Sequence, residues 1–326
     1  MICDYYLSRA NIKRFEDWDK DKKSSLEGRK KENWRNKAEE KKYELWLEEV
    51  FEKPLAKIKR EEIKKLKGDK DIHDFYPNPA DLQNLPEKST LIKISFNLKK
   101  PYLSKDEGKF HLLEWKEKER DKEVIKQKII ENSIVRGKFT GLPMVRPSTW
   151  KGHLRFAADR VEWKEGEKKE TIKRLFGAES KDEKVLKGRL YFFPTFFKDE
   201  AERDVITPLK RDTRTPARGP INLEVMKPDS KGEFYLLYVP YPRGKDFREG
   251  QIKEDLKFLA EALKLMFYTY GFSAKKTSGF GVIEGKLNEG KVWMNTSDGT
   301  KESDFQNINY IANNINGLLS QGDNHE

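Results

Sequence analysis

The chain has 326 residues, with 67 Lys and Arg against 56 Asp and Glu, a formal net charge of +11, and 36% hydrophobic and 38% charged residues. This apolar content can fill one large domain or two smaller ones. The single cysteine, Cys3, excludes an intramolecular disulfide or a thiolate metal cluster, and His73, His111, His153 and His325 have no metal-ligating spacing. No stretch has the apolar character of a signal peptide or a membrane span, so a cytoplasmic protein with no membrane partner is expected. The basic excess suits either a polyanionic partner or a heat-tolerant charged surface.

Residues 11–67 are dominated by Lys and Glu, with apolar residues at helical intervals. Leu45, Val50 and Leu55, with Trp46 and Phe51 between them, give one face that can dock. Pro54 breaks or restarts this helix and Gly68 ends the run. Trp18, Trp34 and Trp46 either pack or stack on bases. FYPNPADLQNLPEKS reads as a linker. LIKISFNL, after Thr90, alternates as a half-buried strand does. The charged residues 104–128 read as a loop with a helix. After SIVRG and GLPMV, the polar turn RPSTWKG leads into an amphipathic helix, HLRFAADRVEW, for which Ser148 and Thr149 are good start residues. GRLYFFPTFF, EVM and FYLLYVPYP are further strands. EDLKFLAEALKLMFYTYGF is the clearest helix, SAKKTSGFGVIEG a turn rising into a strand, and NINYIANNINGLLSQ a short helix before a disordered tail. Strands with interspersed helices and no regular βα repeat indicate an α+β fold, and a ferredoxin-like sheet with helices on one face fits best.

Three constellations could carry chemistry. KKTSGFG puts Lys275, Lys276, the hydroxyls of Thr277 and Ser278, and the flexible Gly279 and Gly281 in one short loop. It is either a phosphate-approaching loop or a tight turn, and the residue order rules out a Walker loop. In PSTWKGHLR, Lys151 and Arg155 are four apart and share a face at a helix start, giving either an anion site or a capped helix with solvated charges. In ITPLKRDTRTPARGPINLEVM, Lys210, Arg211, Arg214 and Arg218 sit among Thr, Pro and Gly, in either a basic hairpin that grips a nucleic-acid backbone or a surface loop.

Together these segments resemble the RAMP superfamily of CRISPR-associated proteins, in particular the backbone and capping subunits of type III (Csm and Cmr) effector complexes. ENSIVRGKFTGLPMVRPSTWKGHLRFA is similar to the family's strand, Pro-Gly-Ser-Ser-Leu-Lys-Gly turn and following helix. LFGAESKDEKVLKGRLYFFPTFF is similar to its Leu-Phe-Gly and Gly-Arg-Leu strand. KRDTRTPARGPINLEVMKPDSKGEFYLLYVP resembles its protruding thumb, and KKTSGFGVIEG its C-terminal glycine-rich loop. The likeness runs from about Leu91 to Gly285. Two departures stand out. Arg146-Pro147-Ser148-Thr149 replaces the usual Pro-Gly-Ser-Ser, and Glu131 stands where RNA-cleaving members have an aspartate.

The resemblance implies a ferredoxin-like (RRM-like) core over residues 89–290 with a thumb around 198–220. Residues 1–88 form a charged helical extension and linker, and 291–326 a C-terminal helix and tail. It implies guide RNA, target RNA and other CRISPR effector subunits as partners. Arg136, Lys151, His153, Arg155, Lys210, Arg211, Arg214, Arg218 and the Lys275–Gly281 loop would contact RNA. No cofactor is needed for binding, and a divalent metal such as magnesium only if the chain cleaves RNA. Two catalytic alternatives remain: a target-cleaving subunit using Glu131, or an endoribonuclease that processes precursor guide RNA with His111 or His153 as acid–base. A third is a purely protein-binding role for the N-terminal helices.

Overall fold

Alternation in the segment Thr90–Asn97 produces the central strand of the larger unit. Thr90, Ile92, Ile94 and Phe96 face one way and are buried, whereas Lys93, Ser95 and Asn97 face the other way and are half-buried. The computed structural model describes residues 13–25, 39–46, 49–50, 70–105, 111–119, 122–130, 133–137, 140–164, 166–177, 187–210, 212–217, 219–243 and 247–320. The chain divides into two units. One comprises Met1–Gly68, Lys105–Gly141 and Glu202–Glu224, and the other Asp69–Ser104, Leu142–Ala201 and Val225–Glu326. In chain order the elements are α1 (Phe15–Ser25), α2 (Glu39–Trp46), α3 (Lys70–His73), β1 (Thr90–Asn97), β2 (His111–Glu119), β3 (Lys122–Ile130), β4 (Met144–Val145), α4 (Pro147–Ala158), α5 (Glu167–Phe176), β5 (Leu190–Phe192), β6 (Thr195–Phe196), β7 (Glu202–Ile206), β8 (Ile221–Val225), β9 (Lys231–Tyr238), α6 (Gly250–Lys264), β10 (Glu289–Thr296), β11 (Gly299–Asp304) and α7 (Ile311–Ser320).

In the larger unit, five strands form one antiparallel sheet in the order β11-β10-β1-β9-β5. Helices α4 and α5 lie between β1 and β5 in sequence, and α6 between β9 and β10. Trp150 of α4 fixes the helices to the sheet. It is fully buried, with ring centroids 4.7 Å from Phe234 and 4.4 Å from Phe272. Its indole N–H donates to Thr195 Oγ1 at 3.1 Å, and that hydroxyl donates to the Glu233 carbonyl at 2.6 Å, so the buried donor is satisfied. Removing such a side chain costs about 3–5 kcal/mol. Beneath α6 the fully buried Asp255 accepts from Arg174 Nε (2.9 Å), Arg189 Nη1 (2.6 Å) and the Tyr238 hydroxyl (3.1 Å). Removing one member of such a buried network leaves an uncompensated charge, which costs more than the intact pair contributes.

The sheet's other face is covered by residues 75–89, the stretch expected to be a linker. Tyr76 stacks on Tyr235 with centroids 4.5 Å apart, Leu82 packs with Leu91, and Asn295 Nδ2 donates to the Leu85 carbonyl at 2.7 Å. Its prolines and asparagines start and stop a 3-10 turn at Pro79–Asn84 rather than freeing the chain. At the other end β10 and β11 carry the sheet through Asp304, past residue 290.

In the smaller unit α1 and α2 share an aromatic cluster of Phe15, Trp18, Tyr43 and Trp46, with centroids 5.4–6.0 Å apart. Trp18 and Trp46 donate to Glu49 and to the Lys13 carbonyl, so both are packing residues here. Trp34, Phe51, Pro54, Leu55 and Gly68 lie outside the described residues. The charged segment expected to be a loop with a helix is instead the antiparallel hairpin β2–β3, registered from His111 opposite Ile130 to Glu119 opposite Lys122. That register sets Lys118 opposite Glu123 and offers β-branched Val124, Ile125, Ile129 and Ile130 to a strand, and cross-strand pairing overrides the helix preference of Lys and Glu.

Candidate nucleic-acid interface

The glycine-rich loop is held from below and open above. Phe272 enters the aromatic core, its amide donates to the Gly281 carbonyl at 3.1 Å, and the Gly281 amide donates to the Pro101 carbonyl at 2.9 Å. The buried Ser273 hydroxyl donates to the Leu103 carbonyl and accepts from the Leu103 amide. Gly281 has φ +76°, and a Cβ there would lie 2.6 Å from the Ser273 nitrogen. Gly279 also has φ +76°, and Lys275 itself adopts the left-handed conformation at φ +62°. Between them Lys276–Ser278 form one 3-10 turn, with Lys275, Thr277 and Ser278 exposed. The expected strand after this loop is a single bridge, Ile283 to Leu98, and the strand proper begins at Glu289.

Helix α4 starts earlier than its hydroxyls suggest. Pro147 occupies the first helical position and Arg146 caps it through its backbone, so Ser148 and Thr149 lie inside the first turn. Lys151 is exposed and Arg155 half-exposed on the following turns. His153 is half-buried and holds its proton poorly. Burial first, then the charge of Lys276, push it down to about 4.

Lys276 reaches back to the C-terminal end of this helix. Its ammonium lies 3.5 Å from the centroid of Phe156, and the guanidinium of Arg160 lies at the same distance from that ring. Arg160 also donates to the Phe156 carbonyl at 2.9 Å, and Tyr270 meets Phe156 edge to face at 5.4 Å. Burial, then Arg160, lower the Lys276 pKa from its usual value. Sequence reasoning missed Phe156, Arg160 and Tyr270. The signal was a Phe–Arg spacing of four, which brings an aromatic and a cation together at a helix end.

The remaining candidates lie in the smaller unit. Arg136 pairs with the buried Glu224, whose other oxygen accepts the Ile134 amide at 2.9 Å, and its second nitrogen donates to the Gly141 carbonyl at 3.5 Å. Strands β7 and β8 pair, and their connection is pinched by a bridge between Leu209 and Pro216. Lys210 and Arg214 are exposed there, and the Arg214 amide donates to the Lys210 carbonyl at 3.0 Å. Arg211, Arg218 and Glu131 lie outside the described residues. Among the described residues no group of three or more His, Cys, Asp or Glu could hold a metal ion, and no helix is long and apolar enough to cross a membrane.

Comparison with known proteins agrees with these motifs. The chain is 27% identical over 168 residues to the CRISPR system Cms endoribonuclease Csm3 of Streptococcus thermophilus, covering 47% of this chain and 74% of that protein. Among solved structures it is similar to a chain of the type III-B Cmr-beta complex bound to cognate target RNA, at 16% identity and a TM-score of 0.42, covering 82% of this chain and 78% of that one. It is also similar to a chain of a type IV-B CRISPR complex, at 11% identity and a TM-score of 0.34, covering 66% and 90%. The RAMP superfamily pattern matches residues 125–284, which span α4, the β7–β8 hairpin, β9, α6 and the glycine-rich loop. Over that segment, just under half of its length, the chain is similar to the RAMP superfamily.

Proposed function

We propose that this chain is an RNA-binding subunit of a type III CRISPR ribonucleoprotein effector complex. It holds guide RNA, and the guide–target duplex, in a stacked filament that serves antiviral defence in the cytoplasm. The observation that carries this reading is the braced loop Lys275–Gly281. It presents two lysines, two hydroxyls and left-handed backbone beside a cationic helix, within the segment that matches the RAMP pattern. The β1-α4-β5-β9-α6-β10 connection and the antiparallel order β10-β1-β9-β5 support a ferredoxin-like core beneath it.

The chemistry is positional. Lys151, Arg155, Lys275 and Lys276 in one unit, and Lys210 and Arg214 in the other, offer cations suited to phosphate oxygens. A subunit serving any guide needs this, because base pairing supplies the specificity. Arg136, engaged by Glu224, acts by closing residues 134–141 rather than by donating to RNA. His153 does not favour the processing-nuclease reading. At about 4 it is unprotonated near neutral pH, and too weak a base to match the task. The test is to purify the complex with this subunit tagged. Bound RNA together with further RAMP subunits is expected, and recovery of the chain alone and free of nucleic acid would contradict the proposal.

A further inference from the structure

We propose that Arg160 and Lys276, braced on Phe156, form a phosphate clamp for single-stranded RNA at the C-terminal end of α4. The inference rests on the RNA-binding reading above and adds to it a contact at Arg160 and a brace at Phe156. Each cation is 3.5 Å from the centroid of the same ring, so the two are at most twice that distance apart. Like charges held this close repel, and the repulsion is visible in the lowered pKa of Lys276, for which burial and Arg160 are the causes and no carboxylate is among them. A π face holds a cation in place without neutralising it, whereas a carboxylate partner would quench it. Among the described residues no carboxylate perturbs Lys276, so the pair is fixed in position and open to an anion.

The surroundings choose which anion. Arg160 is exposed, Lys276 is half-exposed, and beside them stand exposed Lys275, Thr277 and Ser278, all able to donate to phosphate oxygens. His153, kept neutral, adds no positive charge to the site. Tyr270, edge-on to Phe156, fixes the ring that carries both cations. The surface is basic and braced on an aromatic ring, which suits a phosphodiester backbone.

The experiment is fluorescence-anisotropy titration of labelled oligouridine with the full-length protein across a salt series. Arg160→Gln is expected to weaken binding about tenfold and to lower the magnitude of the salt slope by about 0.7. Phe156→Leu keeps both charges and is expected to weaken binding by a similar factor. Phe156→Tyr should bind as the parent does. Arg160 is exposed, so Arg160→Gln gives a decisive reading even if Phe156→Leu fails to fold. If Arg160→Gln binds with parental affinity and slope while Lys275→Ala weakens binding, the clamp is wrong and the RNA-binding function stands. If the parent binds no oligouridine, the broader function fails with it. Equal binding of polyglutamate and oligouridine by the parent would assign the pair to acidic polypeptides and overturn the clamp.

Discussion

His153 shows how a residue can be visible in a sequence while its state is not. A lone histidine at a helix start can be base, ligand or packing, and only its neighbours decide. The fold lowers its pKa to about 4, so between about 4 and its ordinary 6.5 the unfolded chain binds the extra proton and the folded chain does not. The contribution of His153 is therefore complete above 6.5, is lost as pH falls through this window, and levels off below it. Urea unfolding of His153→Gln at pH 4.5 and 7.5 should show a smaller loss on acidification than the parent; an identical loss would contradict the assignment. The exposed glycine-framed loop of the two lysines was legible in the sequence, whereas the setting of Arg160 was not, because it shares Phe156 with a residue more than a hundred positions away. Replacing Lys275 and Lys276 together by Ala should lower the magnitude of the RNA salt slope by about 1.4. It should cost less than about 1 kcal/mol of stability, since only a cation–π contact is lost from the fold. Unfolding of the variant, or undiminished RNA binding, would show the loop to be structural.

At the scale of elements, the legible parts were those whose local pattern and tertiary setting agree. Thr90–Asn97 alternates and is a half-covered strand, and Gly250–Lys264 has an apolar helical face and is a buried helix. The β2–β3 hairpin was misread because Lys and Glu favour helices and only the partner strand reveals the alternative. The chain from Phe75 to Ser89 has the prolines of a linker, and its role as a cover depends on Leu91, Tyr235 and Asn295, which are remote in sequence. The glycine-rich loop tests the same idea from the other side. Gly281→Ala places a Cβ 2.6 Å from backbone at φ +76°, and the strained conformation alone costs about 1–3 kcal/mol. A lowered melting temperature with weaker RNA binding is expected, whereas Gly285→Ala, with nothing within 4 Å of the added carbon, should melt as the parent does. Equal melting temperatures for the two variants would show that the loop does not need its left-handed turn.

At the scale of the whole molecule, the sequence is basic and similar to the RAMP superfamily over residues 125–284, and the proposed scaffold and nuclease roles differ at one residue. By the resemblance, Glu131 stands at the position of an aspartate in cleaving members, and a carboxylate one methylene longer would move its oxygens relative to a scissile phosphate. Our account expects complexes carrying Glu131→Ala to cut target RNA at the parental rate. Loss of cutting with Ala and retention with Asp would make this subunit the nuclease. The central claim, that the chain grips RNA through its phosphates, is tested most directly by the dependence of RNA affinity on salt. With seven cations, Lys151, Arg155, Arg160, Lys210, Arg214, Lys275 and Lys276, each engaging one phosphate at roughly 0.7 per contact, a plot of log affinity against log salt should have a slope of about −5 and should be the same for unrelated RNA sequences. A slope near zero, or affinity that follows sequence instead of salt, would contradict it.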